Sequence, residues 1–244
     1  MPELPEVETV RRGLEQQTQG FEISRVEVHR ARAIASPANP AAFAAALCGC
    51  RVGAWSRRGK YLMGELSRGG KEAGSWGVHL RMTGQFLWLE TPKPACSHTR
   101  VQLFAASNQE LRFVDTRSFG QMWWVPPGQP LDSVITGLGR LGPEPFSPAF
   151  NAAYLAERLR GSRRPIKNAL LDQALVAGVG NIYADESLFA AGIRPATASG
   201  SLGVSQLERL RQPFAPAYAK TAPPSAATDS DVDPEDSPPR DQHM

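Results

Sequence analysis

Cysteine is scarce in this chain, and its placement removes two chemistries at once. The three present, Cys48, Cys50 and Cys96, are an odd set with no C-x-x-C pair and no downstream histidine at zinc-finger spacing. Neither a disulfide framework nor a metal centre is expected from them, and the thiols read as reduced and structural. His243 stands beside the last residue of a stretch without cysteine, which argues against a metal site there. Long apolar runs are missing too, and the acidic start is unlike a secretory signal, so the expectation is a cytoplasmic protein with no membrane partner. Internal repeats are absent. A strong charge of one sign is also lacking, since 244 residues carry only +3. Removing the six acids and one base of residues 221–244, however, leaves +8 on residues 1–220, a basic body suited to a polyanionic partner.

What is present is concentrated at the start. Loss of the initiator methionine would leave Pro2 with a free secondary amine, titrating near ~8 and able to attack a sugar carbon as lysine does in Schiff-base enzymes. Glu3 and Glu6 follow at helical spacing, with Val7, Val10 and Leu14 as the buried stripe. The same letters also describe an ordinary helix start, with proline in the first turn and acids facing the helix dipole.

Beyond a first helix ending near Gly20, short apolar runs alternate with Gly, Pro, Ser and Asn: Ile23–Val28, Val52–Trp55, Tyr61–Leu66, Trp76–Leu80, Phe86–Leu89, Val101–Phe104, Leu111–Val114 and Met122–Val125. These read as strands, with a helix over Pro40–Leu47. After about Leu141 the pattern becomes helical: a start at Ser147-Pro148 leading to Leu159, a short helix after Pro165, a helix over Asn181–Ala191, and one opening at Ser205-Gln206-Leu207-Glu208 that Pro213 cuts short. The expected fold is α+β. Residues 1–140 form an N-terminal β-sandwich with flanking helices, 141–212 a helical domain, and 213–244 a disordered acidic tail.

Several segments carry chemistry. Arg57-Arg58-Gly59-Lys60 sets three cations around a hairpin glycine, either a solvated basic turn or a grip on phosphates. His79-Leu80-Arg81-Met82-Thr83-Gly84 and Asp115-Thr116-Arg117-Ser118-Phe119-Gly120 offer a flexible apolar side chain, a planar cation and a ring, although Met82 and Phe119 in isolation would more often be core. In Gly178-Val179-Gly180-Asn181, backbone N–H groups at a helix start could meet a phosphate, with Lys167 upstream.

Pro2-Glu3-Leu4-Pro5-Glu6-Val7-Glu8, the Lys60 turn, the two segments around Met82 and Phe119, and Leu175 to Pro195 together resemble the formamidopyrimidine-DNA glycosylases over roughly residues 1–210. The resemblance favours the formamidopyrimidine type over the related endonuclease VIII type. It implies a helix-two-turn-helix in the second domain and duplex DNA with oxidised bases or abasic sites as the partner of a monomer. Oxidised purines, 8-oxoguanine and formamidopyrimidines, would be excised through a Pro2 Schiff base, followed by β- and δ-elimination. Glu3, Glu6 and Lys60 would be catalytic; His79, Met82, Arg117, Phe119, Lys167, Gly178, Gly180 and Asn181 would bind DNA. Relatives usually hold one structural zinc on four cysteines and close a loop over the extruded base. Neither feature is recognisable here, so no cofactor is expected, and a damaged- or abasic-DNA binder with impaired catalysis is the alternative reading.

Overall fold

The computed structural model describes residues 1–214. Helix α1 (Leu4–Thr18) opens where Glu3 donates its N–H to Glu6 Oε2 at 2.9 Å, and Pro5 occupies its first turn, where a missing donor costs nothing. Its far end is pinned by Thr18, whose hydroxyl donates to the Leu14 carbonyl at 2.7 Å and accepts from Trp55 Nε1 at 2.9 Å. Leu4, Val7 and Leu14 are buried, and α1 lies against the third strand.

Two sheets face each other. One holds, in order, β2 (Ile34–Ser36), β9 (Gln121–Val125), β5 (Lys71–His79), β4 (Tyr61–Arg68) and β3 (Arg51–Arg58). The other holds β1 (Ile23–Val28), β7 (Thr99–Ala105), β8 (Glu110–Asp115) and β6 (Gly84–Leu89). All pairings are antiparallel except β2 with β9. Trp76, Leu62, Leu103, Leu111, Phe113 and Met122 fill the space between the sheets, and α2 (Pro40–Leu47) adds Phe43 and Leu47 to that core. Asn39 caps α2 by accepting the Ala41 N–H at 2.9 Å, and Pro40 follows at the first helical position.

A second core belongs to the helices. It unites Phe150, Leu155, Leu170, Leu188 and Leu210 across α4 (Ala152–Leu159), α5 (Ile166–Leu170), α6 (Asn181–Ala191) and α7 (Val204–Arg211). The short α3 (Leu131–Val134) lies between the two halves, where Ile135 packs on Trp123 and Val125. A mixed α+β fold with a sandwich and a helical domain is what the apolar patterning implies. Among the described residues no helix is long and apolar enough to cross a membrane.

Local differences have physical reasons. Strand β2 has three residues and α3 four, too short to show a period. Helix α4 takes its cap from Asn151, which accepts the Tyr154 N–H at 2.9 Å, rather than from Ser147. Helix α7 starts at Val204, its cap being Gly203 rather than Ser205: Gln206 Oε1 accepts the N–H of Gly203 at 3.0 Å. The tail does not begin at 213, because Phe214 is 3% exposed and meets the Phe150 ring edge-on at 5.8 Å. The rest of the expected tail lies outside the described residues.

Candidate active site

The first residues of the chain are mounted on a helix that begins almost 180 residues later. Glu3, buried, accepts three backbone N–H groups at the start of α6: Gly180 at 2.8 Å, Ile182 at 2.9 Å and Tyr183 at 3.2 Å. Next to it, the Leu4 N–H donates to the Gly178 carbonyl at 3.0 Å. The first N–H groups of a helix have no partner within it and carry the positive end of the dipole, so a carboxylate satisfies both needs. Glu6 is held at both oxygens, by the Glu3 N–H and by the Tyr183 hydroxyl at 3.2 Å. Burial, together with Glu6, Glu186 and Glu3, pushes the Tyr183 phenol up to about 12, so it stays a donor.

This arrangement corrects the expected role of the two glycines. Their N–H groups do not face outward to a phosphate: Gly180 donates to Glu3 and Gly178 to Gln173 Oε1 at 2.9 Å. The anion at the helix start is the protein's own. Glycine is required by closeness, since a Cβ on Gly180 would lie 2.4 Å from Glu3 Cδ and one on Gly178, at φ +89°, 2.5 Å from Leu4 Cδ1.

Lys60 reaches the same place from a hairpin. Arg58 pairs with Tyr61, leaving Gly59 and Lys60 as a two-residue turn with φ +56° at its first position, the geometry that suits the twist of the flanking strands. Burial lowers the Lys60 pKa against the opposing pull of Glu3 and Glu6, and no ion pair closes on Lys60 among the described residues. Its two arginine neighbours are not free to grip phosphates. Arg57, with its side chain 6% exposed, bonds Glu8 at 3.1 Å and Glu144 at 2.7 and 2.9 Å, and Glu144 also takes the Gly59 N–H at 2.7 Å. Arg58 donates to the Gly142 carbonyl at 2.6 Å. These arginines tie the turn to the segment entering the second domain.

His79 ends β5 beneath this turn, buried against the Tyr61 ring at 4.7 Å. Its Nδ1 accepts the Arg81 N–H at 3.0 Å, which leaves Nε2 as the N–H donor of a neutral ring. Burial, with Arg81 and Lys60 nearby, drops its pKa to about 3.

Met82 and Phe119 are not core: each is 38% exposed, on neighbouring turns. Buried Asp115 joins the turns, accepting the Thr83 hydroxyl, the Arg117 N–H at 3.2 Å and the Gly120 N–H at 2.6 Å. Arg81 and Ser118, at φ 56° and 55°, hold strained backbone beside the two exposed side chains. The Arg117 and Arg32 guanidinium carbons lie 4.9 and 5.5 Å from the Phe119 ring centre. Arg117 itself is exposed.

Asn181, the first residue of α6, is exposed. Lys167 is paired with Asp185 at 2.7 Å, so a phosphate arriving there would exchange with that carboxylate. Tyr183 and Arg32 are the residues the sequence reading passed over. Tyr183 had a signal, an aromatic in the first turn of a helix whose start was already singled out. Among the described residues no cluster of His, Cys, Asp or Glu could hold a metal ion.

Comparison with known proteins agrees across both domains. Residues 1–122 match the family model of the formamidopyrimidine-DNA glycosylase N-terminal domain, and residues 141–218 that of the formamidopyrimidine-DNA glycosylase H2TH domain. The formamidopyrimidine-DNA glycosylase of Parasynechococcus marenigrum (strain WH8102) is 66% identical over 211 residues, covering 86% of this chain and 75% of that protein. The Lactococcus lactis enzyme bound non-covalently to DNA containing an AP site superposes with a TM-score of 0.80 at 32% identity, over 90% of this chain and 82% of that one. A mutant of the Lactococcus lactis enzyme in complex with Fapy-dG containing DNA gives a TM-score of 0.77 at 34% identity, over 86% and 74%. The chain belongs to the formamidopyrimidine-DNA glycosylase family, DNA-binding glycosylases of DNA repair with a helix-two-turn-helix domain.

Proposed function

We propose that this chain removes oxidised purines from duplex DNA and then cuts the strand, with the amine of Pro2, freed by loss of Met1, as nucleophile. The carrying observation is the seating of Glu3, the residue next to Pro2, on the first turn of α6, with Glu6 and Lys60 close enough to act on one another electrostatically. The Pro2 nitrogen bonds to C1′ of the damaged nucleotide, and the base leaves with the electron pair of the glycosidic bond. Ring opening gives an iminium at C1′, with Glu3 and Glu6 placed to handle the proton that the ring oxygen takes up. The iminium acidifies C2′–H; loss of that proton expels the 3′ phosphate, a second elimination expels the 5′ phosphate, and water returns the free amine. His79, Lys60, Asn181 and Lys167 would hold phosphates; Met82, Arg117 and Phe119 would occupy the gap left by the extruded base.

The test is borohydride trapping on duplexes carrying one 8-oxoguanine or one abasic site, using protein whose Met1 has been removed. A covalent adduct with both, lost in Pro2→Gly, is expected. An adduct on the abasic duplex alone would restrict the reading to a lyase without base recognition, and none on either would refute the nucleophile.

A further inference from the structure

The Tyr183 phenol bonds one carboxylate of the N-terminal segment, Glu6, and its backbone N–H reaches the other, Glu3. We infer that Tyr183 is a positioning residue: it fixes which way Glu6 faces beside Pro2 and transmits the seating of α6 to that carboxylate. This rests on the lyase reading above.

Glu6 stands exposed on α1 and could turn freely about its side-chain torsions. Its Oε2 takes the Glu3 N–H, an interaction that holds one oxygen near the helix start and leaves the plane of the group open. The Tyr183 hydroxyl on Oε1 removes that remaining freedom. Tyr183 in turn cannot drift, because its own N–H is one of the three on Glu3. One residue thus joins both acids to the same helical turn. The raised phenol pKa, about 12, keeps the donor in place throughout the pH range in which an N-terminal amine works.

The experiment is a double-mutant cycle of Tyr183→Phe and Glu6→Gln, with single-turnover cleavage of an abasic duplex, the Kd for the same duplex, and urea unfolding measured on all four proteins. Tyr183→Phe keeps the ring and should slow cleavage about tenfold while leaving Kd unchanged, as loss of a hydrogen bond to a charged group predicts. In the Glu6→Gln background it should slow cleavage no further. An unchanged rate in Tyr183→Phe overturns the proposal, as does the same tenfold loss in both backgrounds, because Tyr183 would then act without Glu6. A parent that neither cleaves nor is trapped refutes the lyase reading instead. The urea cycle then decides the contact: Tyr183→Phe shifting the midpoint equally in both backgrounds overturns it, and a smaller shift beside Gln supports it.

Discussion

His79, which the resemblance named as a DNA contact, is held neutral in this fold by its burial. A neutral imidazole with Nδ1 engaged by the Arg81 N–H still offers an Nε2 donor to a phosphate. Its ring resonances should therefore stay flat between pH 8 and 5 in an NMR titration; a midpoint near 6.5 would contradict the burial that sets its pKa near 3. The sign for stability follows. The unfolded chain takes up this proton near 6.5 and the folded one only near 3, so stability is full above 6.5 and falls by up to ~1.4 kcal/mol per pH unit between those limits. Glu8 acts in the same direction at lower pH: burial raises its pKa, but Arg11, Arg57 and Arg12 outweigh that and hold it lowered, so its contribution is present above the ordinary carboxylate range and lost below it.

At the scale of elements, the start of α6 does the assembling. Gly180→Ala is expected to push Glu3 off this helix, since Cβ would fall 2.4 Å from its Cδ. A cost of about 1–3 kcal/mol in urea unfolding, typical of overpacking, should accompany a loss of abasic-site trapping. Wild-type trapping in the folded variant would show that the junction is not required. Elements with a long period or clear punctuation were legible in the sequence: β1, α2 and α6 lie at the residues their apolar runs and flanking Asn, Pro and Gly mark. Glu3 and Glu6 were legible beside Pro2 by residue type and helical spacing, whereas Lys60 was singled out only by the resemblance its turn carries. The partners of Gly178, Gly180 and Arg57 were not legible. Each is met by a residue from a distant segment, and a glycine needed for a neighbour's closeness looks the same in sequence as one needed for a ligand.

Across the whole molecule, the sandwich is tied to the helical part at two places, the seat of Glu3 and Leu4 at the start of α6 and the buried Arg57. Arg57 bridges Glu8 on α1 and Glu144 in the segment leading to the helical domain. Arg57→Met should destabilise by roughly 1.5–3 kcal/mol, the worth of hydrogen bonds to charged groups, because Glu8 keeps Arg11 and Arg12 and Glu144 keeps Arg58 at 3.7 Å. Calorimetry should then show the two domains melting apart where the parent melts once, and a single transition at the parent's temperature would remove Arg57 from that role. The basic +8 of residues 1–220 belongs to this scale as well, setting long-range attraction to the duplex rather than the fold.

The bond between Glu3 and Gly180 spans 177 positions, and that with Tyr183 spans 180. Synthesis runs from the amino end, so a growing chain displays Glu3 long before it owns the helix that seats it. Until α6 leaves the ribosome, the amino-terminal segment lacks the three N–H groups that hold Glu3. The carboxylate that anchors the amino-terminal segment is thus among the earliest parts to be made and among the last to be fixed in place.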